Sequence, residues 1–170
     1  MYKIRESIRI IASVLLIAVI AASFAACGKK PAPAKDYDIN AIAETIHKEV
    51  PFEDPYLALV ENREFALSTY GVDPALVADE NGQKACSIFV SGAYPEMIVA
   101  IKAKDEASAA KVMDSVKALI ETYIKNYTTY TPEQVAKLES AVTETRGAYV
   151  FAIVSNDNSA AANCLKGLLG

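Results

Sequence analysis

The sequence predicts an α+β fold: an antiparallel four-stranded sheet with helices packed on it, in the order helices, ββ, α, ββ, α. Three observations carry that prediction. Residues 85–91, "ACSIFVS", and 97–103, "MIVAIKA", alternate along the chain with the period of two that marks strands. Residues 106–127 then switch to helical spacing and keep one continuous apolar stripe. A second strand pair, residues 142–146 and 148–155, follows and is broken at Gly147.

The elements follow in chain order. Asp38 precedes "INAIAETIHKEV", where Ile39, Ile42, Ala43, Ile46 and Val50 recur at helical spacing, so a capped helix is expected up to Pro51. Asp54-Pro55 reads as a cap with proline at the first helical position, predicting a short helix through Val60. Residues 61–68 fit no single pattern. Gly71, Asp73-Pro74 and Asn81-Gly82 punctuate the next stretch, the last pair marking a tight turn.

In the central hairpin, Cys86, Ile88 and Val90 share one face with Met97, Val99 and Ile101. Asp105 caps the long helix, whose inward stripe runs through Ala109, Val112, Met113, Val116, Leu119, Ile120, Tyr123 and Tyr127. Lys111, Asp114, Lys117, Glu121 and Lys125 face away. Thr131-Pro132-Glu133-Gln134 has the form of a capping box opening a short helix to about Glu139. "AYVFAIV" is apolar on both faces, as a central strand covered on two sides would be. A turn at residues 155–158 leads to a last helix with Ala161, Cys164, Leu165 and Leu168 inward.

The N-terminus has a different character. Lys3, Arg5 and Arg9 precede residues 10–24, which carry no charge and end in small residues. That layout is a secretory signal rather than a membrane span, which needs about 20 apolar residues. Phe24-Ala25-Ala26-Cys27 resembles the lipobox of bacterial lipoproteins, with Phe24 where leucine is usual. On that reading residues 1–26 are a lipoprotein signal peptide and Cys27 is lipidated, a diacylglyceryl group of palmitate type tying it to membrane lipid. One acyl chain binds a bilayer marginally, whereas two hold it stably. The competing reading cuts after Ala25 and leaves Cys27 as a spectator. Residues 27–36 form a Pro/Ala/Lys tether, in which Pro31 and Pro33 favour extended geometry. Lys29, Lys30 and Lys35 either meet anionic lipid or only keep the tether soluble. Residues 37–170 are expected to form the single α+β domain.

Removing residues 1–26 takes three basic residues and one acidic residue from a chain holding 17 and 21, leaving 144 residues with a net charge of −6. An acidic domain without a basic stripe excludes nucleic acid as the expected partner. Cys86 and Cys164 would remain after acylation of Cys27; they read as two buried thiols, with a bridge as the alternative. Two cysteines do not make a four-ligand zinc site, no metal or cofactor is expected, and no phosphate-loop spacing occurs.

Tyr70-Gly71-Val72-Asp73-Pro74, Glu96 before "IVAIKAKDEASAAKV", and "YTPEQVAKLESAVTETRGAYVFAIVSND" together resemble the domain of unknown function 4358 family. The resemblance extends over residues 41–168 and is most marked over 94–157. It implies a lipoprotein of a Gram-positive, Firmicutes-type bacterium, anchored on the outer face of the cytoplasmic membrane. No activity comes with it.

A catalytic constellation is not legible. His47, read as an exposed helix residue beside Lys48 and Glu49, is the only imidazole. Neither Cys86 nor Cys164 has a sequence neighbour that would lower a thiol pKa. The carboxylates pair only with adjacent ones, as at Glu53-Asp54 and Asp105-Glu106, where neighbouring side chains diverge; Asp54 and Asp105 are expected to cap helices. The unusual inventory is nine tyrosines in a chain without tryptophan. Tyr123 and Tyr127 extend the core stripe, while Tyr94 and Tyr130 are candidate binding residues. The expected function is a non-enzymatic, lipid-anchored binding or scaffolding module for an envelope protein or wall component. The alternatives are a small-ligand-binding lipoprotein serving a transporter and, third, an envelope enzyme.

Overall fold

The computed structural model describes residues 35–170, with the folded unit running Asp36–Gly170. The signal segment, Cys27 and the tether up to residue 34 lie outside the described residues. Asp38 accepts hydrogen bonds from Asn40 N and Ala41 N, both at 3.0 Å, and so caps α1 (Ile39–Glu49). Ile39, Ile42, Ala43 and Ile46 form its buried stripe.

The next segment is not the expected short helix. Asp54 accepts from Tyr56 N at 2.8 Å and from the Ser91 hydroxyl, which fixes a single turn instead of a helical start. The chain leaves that turn extended as β1 (Ala58–Leu59), pairing antiparallel with Phe89 and Val90. The sheet therefore has five strands rather than four. The stretch without a clear pattern contains α2 (Arg63–Thr69), capped by Asn62, whose side chain accepts from Phe65 N at 3.0 Å. Pro74–Leu76 forms one 3-10 turn capped by Asp73. Asn81 and Gly82, with φ of 53° and 77°, close the two-residue hairpin of β2 (Asp79–Glu80) and β3 (Gln83–Lys84), as positive φ at both positions requires.

The remaining elements match the predicted order: β4 (Cys86–Val90), β5 (Met97–Lys102), α3 (Glu106–Tyr130), a 3-10 turn Pro132–Gln134, α4 (Val135–Glu139), β6 (Val142–Arg146), β7 (Tyr149–Val154) and α5 (Asn158–Leu169). Asp105 caps α3 through Ser108 N at 2.7 Å. Thr131 makes no side-chain cap: the Gln134 N–H donates to the Thr131 carbonyl at 3.0 Å, and the Gln134 side chain bonds Glu53 at 3.3 Å.

The main sheet is antiparallel throughout, in the order β1-β4-β5-β7-β6. On one face Ile88, Met97, Val99, Ile101, Val150, Ala152 and Val154 pack against α2, α3 and α4. On the other, Phe89, Ile98, Ala100, Phe151 and Ile153 pack against α1 and α5. All six residues of β7 are buried, which is why its sequence is apolar at every position. Cys86 belongs to the first core and Cys164 packs against the second. The sheet separates them, so both thiols are free, and burial pushes the Cys86 thiol up to about 11. His47 is half-buried rather than exposed, with its ring centroid 4.7 Å from that of Phe89.

Candidate functional site

Glu96 lies between Pro95, which closes the β4–β5 turn, and the first residue of β5. Its side chain is 0 % exposed, and it accepts from Glu53 N on both oxygens and from Asp54 N, each at 2.9 Å. A buried carboxylate needs a countercharge as well as hydrogen bonds. Lys137, on α4, supplies it: Nζ donates to Glu96 Oε1 at 3.0 Å and to Glu53 Oε2 at 2.9 Å. The same ammonium sits 5.6 Å from the centroid of the Tyr94 ring.

A second ring of contacts holds those groups. Ser91 Oγ donates to Asp54 and accepts from Ala93 N at 3.1 Å and Tyr94 N at 2.8 Å, which fixes the turn carrying Tyr94. Asn158 Nδ2 donates to Lys137 O at 2.7 Å, while its Oδ1 accepts from Ser155 N at 2.8 Å. Two distant stretches of chain, residues 53–54 and α4, thus converge on the Glu96 carboxylate, and Ser91 and Asn158 hold those stretches in place. Burial alone would lower Lys137, but its hydrogen bonds to Glu53 and Glu96 outweigh this and hold it above the usual lysine range. The Lys137 hydrogen bond, followed by that of Gln134, holds Glu53 below the ordinary glutamate value. Gln134 Oε1 is buried and has no partner among the described residues.

Of the sequence-predicted site residues, Tyr94 lies against this cluster. Tyr130, the last residue of α3, is 84 % exposed. Tyr56, which follows the Asp54 turn, is exposed to the same extent. Because α3 starts beyond the C-terminal end of β5 and runs back past its start, Tyr130 lies at the same end of the sheet as Tyr94. Sequence reasoning missed the Glu96–Lys137 pair; the one local signal was an ionisable residue set directly against the apolar run of β5. It also gave Asp54 a helix-capping role, whereas Asp54 fixes the turn above.

The cluster fits rigid positioning of a surface better than proton transfer. Glu96 is saturated by donors, and Lys137 is bound to two carboxylates. Among the described residues no group of three or more histidine, cysteine, aspartate or glutamate side chains is placed to hold a metal ion.

Residues 69–155, just over half of the chain, match the family described as Domain of unknown function (DUF4358). The chain belongs to that family. Comparison with curated proteins and with solved structures found no match. The DUF4358 segment holds Ser91, Tyr94, Glu96, Gln134 and Lys137, whereas Glu53 and Asp54 lie before it. It also contains every strand of the main sheet except β1, and α3 and α4 of one covering layer. The two helices that cover the other face, α1 and α5, lie outside it.

Proposed function

We propose that this DUF4358 protein is a lipid-anchored component of the cell envelope and that its folded unit is a non-enzymatic binding or scaffolding module. The observation that carries the reading is the passage from Phe24-Ala25-Ala26-Cys27 through a proline-bearing tether directly into a capped, folded unit at Asp36. The two acyl chains of one diacylglyceryl group on Cys27 hold such a protein stably at the membrane surface.

The way the chain enters the folded unit supports a presenting role. Asp36 accepts from the Tyr149 hydroxyl and pairs with Lys102 at 3.1 Å, so the entry point is fixed at the C-terminal end of β5. Tyr94, Tyr56 and Tyr130 lie toward the opposite end. That aromatic end is the surface on which an envelope protein or wall component would dock.

Metabolic labelling with an alkyne fatty acid, combined with in-cell crosslinking of the wild type and Cys27→Ala, tests the proposal. Lipid label on the wild type, absent from the variant, together with a specific crosslinked partner lost in the variant, is the expected result. Equal labelling of both chains overturns the anchor. A turnover abolished by one polar substitution in a folded protein overturns the non-enzymatic reading.

A further inference from the structure

The two edges of the main sheet are finished differently. β1 is two residues long and follows Pro55, a short edge that offers little to a passing strand. β6 is five residues long, contains no proline and is the last strand on its side. In an antiparallel edge strand every second residue turns its N–H and C=O outward, and a strand of this length is a template for another.

Beside that edge, under α3, two separate depressions follow one another, one at Thr145 with Glu106, Met113 and Asp114 and one at Thr143 with Lys117, Ile120, Glu121 and Glu139. Side by side they make a shallow groove. Its β6 wall is formed by Thr143 and Thr145, and apolar carbon of Met113 and Ile120 lines its α3 side. Four carboxylates, those of Glu106, Asp114, Glu121 and Glu139, line it against a single lysine, Lys117. The register explains why: Thr143 and Thr145 stand opposite Ala152 and Val150, on the α3 face, so a strand laid beside β6 would aim alternate side chains into this groove.

We propose that the open edge of β6 and the acidic groove next to it accept an extended segment of a partner protein, with lysine or arginine at alternate positions, as a sixth strand. The main chain of the segment bonds β6, the hydrocarbon stems of its basic residues lie over Met113 and Ile120, and their charged ends reach the carboxylates. This deepens the binding-module reading and rests on it; the lipid-labelling and crosslinking experiment tests that reading separately.

The test uses the full chain in detergent and a synthetic peptide of about eight residues alternating lysine with valine, a common strand length. The peptide is titrated by fluorescence anisotropy. Saturable binding is expected, weakened by added salt and weakened roughly tenfold or more by the exposed double substitution Asp114→Lys with Glu121→Lys. A peptide N-methylated along one edge keeps its charge but cannot complete the ladder, and loses binding. Equal affinity of the methylated peptide overturns the proposal in favour of charge adsorption alone, and absence of saturable binding overturns it outright. A self-associated chain that the peptide dissociates would show the edge to be occupied by a second copy, and would also overturn it.

Discussion

Two clusters of the same kind, each a lysine between two carboxylates and a tyrosine ring, sit at the two ends of β5. At its start, Lys137 meets Glu53, Glu96 and the ring of Tyr94; at its end, Lys102 meets Asp36, Glu80 and the ring of Tyr149, 5.4 Å from the ammonium. The side chain of Lys137 is 10 % exposed and that of Glu96 not at all, whereas Asp36 is 82 % exposed. An attraction between charges grows as water is removed, but so does the penalty for breaking it. One set of residues therefore makes a fixed joint when buried and a salt-sensitive clamp when wet.

The largest expected effect follows from removing the buried countercharge. Lys137→Met leaves the enclosed Glu96 carboxyl without its countercharge, which costs about 3–5 kcal/mol. In urea unfolding at neutral pH the midpoint should fall by on the order of 2 M with little change in slope. A midpoint within experimental error of the wild type would show that Glu96 is not held as a buried charge. Glu96→Gln should cost less, because Lys137 retains Glu53.

Asn158→Ala comes next. It removes the amide that ties Lys137 O to Ser155, and losing buried partners of this kind costs about 1–3 kcal/mol. Its effect should shrink in the Lys137→Met background if both act through α4, and the double-mutant cycle measures that coupling. Strict additivity would separate Asn158 from the buried joint.

The difference between the clusters also explains what the sequence made legible. The period of two in residues 97–102 and the helical stripe of α3 are local patterns set by burial, and both elements form where they are expected. β1 was not legible, because its choice between helix and strand is made by Ser91, 37 residues away along the chain, binding Asp54. The same holds for Glu96: its partners Glu53 and Lys137 are 43 and 41 residues distant. Tyr94 stood out by residue type alone, and only the fold shows that it lies against a cation. The capping-box pattern at Thr131 misled because both of its backbone N–H groups bond carbonyls, that of Thr131 bonding Tyr127 and that of Gln134 bonding Thr131, while the Gln134 amide reaches Glu53, 81 residues away.

At the wet end, Lys102→Met should lower stability less than Lys137→Met, with a loss that diminishes as salt is added, since Asp36 and Glu80 are largely solvated. Urea midpoints at low and high ionic strength decide this. A loss independent of salt would mean that Lys102 acts by packing its stem on Tyr149.

The smallest effect at neutral pH, and the sharpest discriminator at high pH, comes from titration. Hydrogen bonds to Glu80 and Tyr149 hold Lys102 above its ordinary range, and Lys137 is raised despite its burial. A group with a raised folded pKa contributes its full stabilisation below its unfolded value, about 10.4 for lysine, and loses it as pH rises through the folded value. Stability should therefore be flat around neutrality and fall above about pH 10. Tyr70 contributes to the same limb, because burial raises its phenol and the unfolded chain releases that proton first. Tyr70→Phe, nearly silent at pH 7, removes this background and should move the alkaline midpoint upward. Adding Lys102→Met to Tyr70→Phe should flatten the limb further. An unchanged limb would show that the wet cluster is already open before its lysine titrates, leaving the buried joint as the only one of the two that lasts into alkali.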